Sequence, residues 1–151
     1  MITNQARHII ETWRLGFVAT SNLNGDVSLS PKGTFLILDE TSLAFAEMRS
    51  PNTLRNIAEK PEVEINFIDI LSRKGVRIAG RAHNEPRGSQ RYAELLPQFL
   101  AGWPELEELF NGFIIIDVTA CRPLSTPLYE LGVEETALRQ HWKSKIRDMS
   151  D

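Results

Sequence analysis

The sequence is poor in the residues that define several specialised protein classes. It has one cysteine, Cys121, so no disulfide can form within the chain. Its three histidines lie far apart and no Cys/His pattern has zinc spacing, so we expect no metal site. No apolar run approaches the roughly 20 residues that a membrane span needs, and the charged N-terminal segment lacks the apolar stretch of a signal peptide. These absences predict a reduced, cytoplasmic protein without a membrane segment.

The residues that are present fit one ordinary globular domain. Hydrophobic residues make up 42% of the chain and charged residues 25%, with a formal net charge of −3. These values are typical of a soluble domain, and 151 residues suit one domain rather than two. We therefore predict a single domain over residues 1–151. Any sizeable ligand should lie on its surface or between subunits.

The charges are unevenly distributed along the chain. Residues 73–91 hold six bases and one acid, which gives a net charge of +5, whereas residues 92–120 hold five acids and no base. This pattern favours two solvated faces that pair with each other or with a partner subunit. The alternative is a basic strand that holds an anion. A nucleic-acid interface on this strand is a further alternative, although the acidic overall charge argues against it.

Periodicity predicts a mainly β protein with flanking helices. Helical spacing of apolar residues marks residues 4–14, with Gly16 as the stop. Alternation predicts six or seven strands, and Asn24-Gly25 favours a type I′ hairpin turn. A helical insertion is expected at about 86–111 and a closing helix at about 134–149. The connections are mostly too short for parallel crossovers, so the strands should pair antiparallel and form two short sheets or a small barrel.

The clearest local site is a predicted strand-to-helix junction. Ser50 at the N-cap followed by Pro51 is typical of a helix start. The free amides of a first helical turn favour a phosphate, and Thr53 and two arginines, Arg49 and Arg55, could add hydrogen bonds and charge. The alternative is that Ser50 only caps the helix and that both arginines are solvated.

A second candidate is the segment 28–34. Pro31 cannot donate to a sheet ladder and Gly33 interrupts the strand, which suggests a bulge or the close approach of a ligand, with Lys32 supplying a cation. The alternative is an irregular edge strand. No nucleophile with an adjacent base is visible, so a hydrolase is not indicated, and redox chemistry by a bound cofactor would need little from the side chains.

These motifs occur in a particular order along the chain. They are Gly16-Phe-Val-Ala-Thr20, Asn24-Gly-Asp26, Ser30-Pro-Lys-Gly-Thr34, Ala44-Phe-Ala46, Arg49-Ser-Pro-Asn-Thr-Leu-Arg-Asn56, Pro61-Glu-Val63 and Arg73-Lys-Gly-Val-Arg-Ile-Ala-Gly80. Their order and spacing resemble the pyridoxamine 5′-phosphate oxidase-like, FMN-binding split-barrel family. The resemblance implies an antiparallel split β-barrel and a homodimer with FMN at the subunit interface. It also implies an FMN-dependent oxidoreductase that acts on an unidentified small substrate or electron donor.

The resemblance also implies which residues contact the cofactor, while it assigns no catalytic residue. Contacts with the flavin ring and the ribityl chain are expected from Ser30, Pro31, Lys32 and Gly33. Glu47 and Met48 are expected beside this segment, at the end of a strand. Contacts on the phosphate side are expected from Arg49, Ser50, Thr53, Leu54 and Arg55. Lys74 is expected near the cofactor together with its basic neighbours Arg73 and Arg77, and Trp142 or Tyr129 of the other subunit could complete the site.

Several alternatives stay open at the level of sequence. The name-giving oxidase ends in a substrate-binding strand with an Arg-x-His pair, whereas Arg139-Gln-His141 lies here in a helical pattern, so pyridoxamine phosphate oxidation is not predicted. The same barrel could hold deazaflavin F420, or haem with His83 or His141 as axial ligand. A non-catalytic flavin-binding or flavin-sensing module is the remaining alternative.

Overall fold

The computed structural model describes residues 1–150. Its helices are α1 (Asn4–Trp13), α2 (Pro51–Glu59), α3 (Gln90–Gly102) and α4 (Glu135–Ser150), with short 3-10 turns at Pro104–Leu109 and Pro127–Tyr129. Its strands are β1 (Gly16–Ser21), β2 (Val27–Lys32), β3 (Leu36–Ile37), β4 (Ser42–Glu47), β5 (Glu62–Ile68), β6 (Gly75–Pro86) and β7 (Gly112–Leu124). None of the helices in residues 1–150 is both long enough and apolar enough to cross a membrane.

All seven strands form one antiparallel sheet in the order β2-β1-β5-β6-β7-β4-β3. The strands β2 and β3 follow each other in sequence but lie at opposite edges of this sheet. The sheet curls so that the two sides approach, and the Ala46 amide donates to the Thr34 hydroxyl at 3.0 Å. We call this approach, between the end of β2 at Lys32 and the end of β4 at Glu47, the seam. The open, curled sheet confirms the predicted split β-barrel.

Two apolar clusters support the sheet. The first fills the inside of the curl, where α1 and α2 pack on it; its largest fully buried members include Phe35, Phe45 and Phe67. The second lies between the insertion and the β4–β7 side of the sheet, where the Phe99 and Phe113 rings stack with their centres 3.9 Å apart. The insertion therefore rests on the sheet through its own core, next to the end of β4.

The predicted stop of the first helix is wrong. The helix ends at Trp13, and Arg14 takes the left-handed C-cap conformation with φ of 53°. Gly16 instead begins β1, where the reason for a glycine is space. An added Cβ would lie 2.6 Å from the Phe67 ring and 2.7 Å from the Phe35 ring.

Two predicted backbone features of the first hairpin are also wrong. A type I′ turn needs positive φ at both central residues, but only Gly25 has it (86°), and the longer loop is held by Asn22, whose side-chain oxygen accepts from the Asn24 and Asp26 amides. No bulge occurs at Pro31, because β1 and β2 pair without a register shift and an edge strand tolerates a missing N–H. Within residues 1–150, the strand pairing shifts its register instead in β6, between Ala79 and Gly80, where β6 pairs with β7.

Candidate functional site

Three side chains meet at the seam. Lys32 ends β2 on its inner side, and its Nζ donates a short hydrogen bond to the Ser50 hydroxyl. The Ser50 amide donates to Oε1 of Glu47 at 2.8 Å. Ser50 and Glu47 are only 6% and 4% exposed. The curl of the sheet therefore brings Lys32 at the end of β2 next to Ser50, just after β4, with Ser50 and Glu47 buried and Lys32 half-buried.

The electrostatics of the seam favour a ligand that accepts hydrogen bonds. Burial lowers the pKa of the Lys32 ammonium, and the charge of Glu47 offsets only part of that effect. The Phe45 ring centre lies 5.8 Å from the same ammonium. A half-buried cation of this kind is stabilised by any anion or carbonyl that replaces lost water.

The first turn of α2 is left uncapped. Pro51 has no N–H, and the Ser50 side chain makes no capping hydrogen bond because it is engaged by Lys32. The alternative that Ser50 serves only as a cap is therefore wrong. The amides of Asn52 and Thr53 precede the first intrahelical bond, which runs from Leu54 N to Ser50 O. Such free amides at a helix N-terminus favour an anion.

A polar cleft opens beside this turn. It has a volume of about 300 Å³ and lies between α2 and the β1–β2 hairpin. Its lining is dominated by amide, hydroxyl and charged side chains: Asn22, Asn24, Asp26, Val27, Ser28, Asn52, Arg55, Asn56 and Glu59. Arg55 donates to Asn52 Oδ1 at 2.5 Å. The cleft continues the inner side of β2, on which Ser28, Ser30 and Lys32 alternate.

The other residues predicted for this site lie around the seam. Arg49 is exposed beside Ser50, and Thr53 is buried in the first turn. Leu54 packs against the first core and Met48 against the second. Pro31 and Gly33 are exposed at the end of the edge strand. The structure thus brings the two predicted segments, 30–33 and 47–55, into one region.

Lys74 and Trp142 form a separate cluster with the turn between β5 and β6. Lys74 Nζ pairs with Glu135 at 2.5 Å, and the Arg73 guanidinium carbon lies 3.6 Å from the centre of the Trp142 ring. Tyr129 donates from its hydroxyl to the Ser72 carbonyl at 2.6 Å. Within one chain these residues hold each other, so a role at the seam would require the C-terminal segment of another subunit.

The Arg-x-His sequence near the C-terminus does not form a free anion clamp. Arg139 pairs with the buried Asp69 at 2.5 Å and with Glu135 at 2.9 Å. Burial alone raises the pKa of the Asp69 carboxyl, but hydrogen bonds from its own turn and from Arg139 outweigh burial and hold that pKa below its ordinary value. Arg139 therefore fixes the β5–β6 turn. Because Arg139 and Asp69 are 70 residues apart in sequence, no local sequence pattern predicts this contact.

The basic strand predicted from charge is largely neutralised by β5. Arg81 pairs with Glu62, and Arg77 lies 3.9 Å from Glu64. The expected pairing between segments 73–91 and 92–120 is limited to contacts such as Arg91 with Glu94 at 2.9 Å. Within residues 1–150 no group of three or more His, Cys, Asp and Glu side chains could hold a metal ion.

Comparisons with known proteins add independent information. A family model described as pyridoxamine 5′-phosphate oxidase matches residues 2–111. HupZ of Group A Streptococcus is 26% identical with a TM-score of 0.70, covering 82% of this chain and 100% of that one. A Lactobacillus delbrueckii protein described as a candidate pyridoxamine 5′-phosphate oxidase is 20% identical (TM-score 0.67, 80% and 92% covered). An FMN-binding protein of Syntrophomonas wolfei is 14% identical (TM-score 0.67, 83% and 87% covered). No curated protein matches the sequence.

Proposed function

Since the chain belongs to the pyridoxamine 5′-phosphate oxidase family, we propose that it is an FMN-binding flavoprotein whose cofactor lies along the seam. The observation that carries the proposal is the contact between Lys32 and Ser50 beside an uncapped helical turn. This arrangement provides a cation, a hydroxyl and free amides within one region, and a polar cleft adjoins it. A ligand with a phosphate and several hydroxyl groups fits such a donor set.

The phosphate side of the cofactor is assigned to the first turn of α2. The Asn52 and Thr53 amides and the Ser50 hydroxyl would donate to phosphate oxygens, with Arg55 and the exposed Arg49 adding charge. The ring side is assigned to the end of β2, where Lys32 would donate to a flavin carbonyl or ring nitrogen. Ser30 and the Gly33 backbone would lie along the ribityl chain.

The bound flavin would supply reversible hydride and electron transfer, which no side chain of this protein can supply. The chain's own residues would bind and orient it, and Lys32 would set the electrostatic environment of the ring. We infer an oxidoreductase acting on a small substrate that reaches the open side of the ring. We also propose a cytoplasmic location, because the free thiol of Cys121 fits a reducing compartment.

A homodimer would complete the site. The outer side of β1 and β2 exposes three large apolar side chains, Phe17 (42%), Leu29 (65%) and Val27 (75%). Exposed apolar side chains grouped on one sheet surface are typical of an interface. A partner subunit would supply a further wall for a cofactor bound along the seam, and Trp142 of that partner is the residue we assign to it.

The binding proposal is tested by adding FMN to the purified protein. We expect a yellow complex and saturable binding by calorimetry. Ser50→Ala should weaken FMN binding about tenfold, since a hydrogen bond to a charged group contributes about 1.5 kcal/mol. Riboflavin binding should weaken less than FMN binding, because riboflavin has no phosphate. Ser125→Ala, at an exposed residue that does not line the cleft, is the matched control.

Turnover is tested separately by stopped-flow reduction with NADH or NADPH followed by reoxidation. Reduction and reoxidation of the bound flavin would support an oxidoreductase. Tight FMN binding without either step would instead indicate a flavin-binding module. Absence of FMN binding contradicts the proposal, and titration with a deazaflavin or with haem, the latter in His83→Ala and His141→Ala, then identifies the cofactor.

A further inference from the structure

One residue of the insertion, Asn111, donates two hydrogen bonds to the backbone at the end of β4. The Asn111 amide N–H donates to the Glu47 carbonyl at 2.9 Å, and Nδ2 of its side chain donates to the Met48 carbonyl at 2.8 Å. Its own carbonyl accepts from the Arg87 amide at 2.8 Å. Asn111 thus connects the two ends of the insertion, at Arg87 and Asn111, with the carbonyls of two consecutive residues at the seam, Glu47 and Met48.

The peptide groups that Asn111 holds are those that shape the seam. β4 ends at Glu47, so the Met48 carbonyl lies beyond the sheet ladder and Asn111 supplies its partner. Glu47 then accepts from the Ser50 amide, and Ser50 accepts from Lys32. A shift at Met48 would therefore move the Ser50 hydroxyl and the first turn of α2 together.

The hydrogen bond to the Met48 carbonyl is the main contact of the Asn111 side chain. It is exposed, so it contributes little to the core, and its amide nitrogen is used only on the Met48 carbonyl. The Met48 side chain packs on the second core, which is built largely from the insertion. The insertion therefore fixes this turn twice, by packing on one side and by a side-chain hydrogen bond on the other.

We propose that Asn111 is a positioning residue that holds the 47–50 turn in the geometry required for cofactor binding. It does not itself touch the cofactor. This inference rests on the proposed function for its effect on FMN, but its effect on the turn can be measured without any flavin.

The test uses Asn111→Asp, which keeps the shape of the side chain but replaces the donor by an acceptor, and Asn111→Ala in case the first variant fails to fold. Asn4→Asp, on the exposed start of α1, is the matched control. In the protein without flavin, amide hydrogen exchange at Ser50 should become about three- to tenfold faster in the Asn111 variants. Exchange in α1 should not change. With flavin, the FMN dissociation constant should rise about three- to tenfold.

The outcomes separate this inference from the proposed function. Unchanged exchange at Ser50 overturns the inference, and so does faster exchange with unchanged FMN affinity. Uniformly faster exchange across the protein also overturns it, because that pattern indicates a general loss of stability. If the unsubstituted protein binds no FMN, the proposed function fails, while selective exchange at Ser50 still supports positioning of the turn.

Discussion

Gly16 is the residue at which the packing of this barrel can be tested most directly. It begins β1, and a Cβ added there would lie 2.6 Å from Cε1 of Phe67 and 2.7 Å from Cε2 of Phe35. Both rings are fully buried, and their centres are 4.6 Å apart in an edge-to-face arrangement. Neither ring can move without disturbing the other, so Gly16→Ala should overpack the centre of the first core.

The size of the effect follows from two opposing contributions. Overpacking a buried site lowers the free energy of unfolding by about 1–3 kcal/mol. Replacing glycine by alanine also restricts the unfolded chain, which raises the free energy of unfolding by about 0.4–1 kcal/mol. The net loss should be about 1–2 kcal/mol. For a domain of this length, 1 kcal/mol corresponds to about 2–4 °C, so Tm should fall by about 2–8 °C.

Gly33→Ala is the matched comparison, because no atom lies within 4 Å of its added Cβ and its φ is not left-handed. Its Tm should stay constant or rise by about 1–4 °C in the protein without flavin. Calorimetric melts of both variants provide the measurement. An unchanged Tm for Gly16→Ala would refute the argument that the two Phe rings are rigidly packed.

Three further changes have defined outcomes. Arg139→Met should lower stability by about 1–2 kcal/mol at about pH 7, and this loss should shrink as pH falls from the ordinary aspartate pKa of about 3.9 through the depressed pKa of Asp69; urea melts across this pH range measure it. Because burial lowers the pKa of Lys32, FMN binding just below the ordinary lysine pKa of about 10.4 should take up protons, and Lys32→Arg should abolish that uptake in calorimetry with two buffers. Phe17→Asp combined with Leu29→Asp should yield monomers by light scattering, and an unchanged dimer mass would contradict the proposed interface.

Much of the fold could be predicted because it is encoded in local patterns. The start of α2 is marked by Ser50-Pro51, and its end precedes Pro61. Alternating residues marked β5 and β6, and their short connection favoured antiparallel pairing, which the structure confirms. Local sequence patterns gave wrong predictions at positions whose conformation depends on tertiary contacts. Gly16 resembled a helix stop, but the packing of distant Phe rings is what requires it.

The candidate site was predictable in its parts but not in its assembly. Lys32 and Ser50 were each suggested by local chemistry, yet their contact depends on the curl of a seven-stranded sheet. The free amides of the first turn of α2 were predicted, but Ser50 as a simple cap stayed an alternative, and only its contact with Lys32 decides between the two. Asn111 was missed entirely, since an exposed asparagine after an insertion carries no local signal.

The seam also has a consequence for the order in which the protein folds. Lys32 and Ser50 are 18 residues apart in sequence, but β2, which holds Lys32, and β4, which precedes Ser50, stand on opposite sides of the sheet. The intervening strand pairs, including β6 with β7, hold the two sides in place, so we expect the seam to form late in folding. Under the proposed function, flavin would bind only chains with a finished sheet, and its binding would in turn stabilise the seam against unfolding.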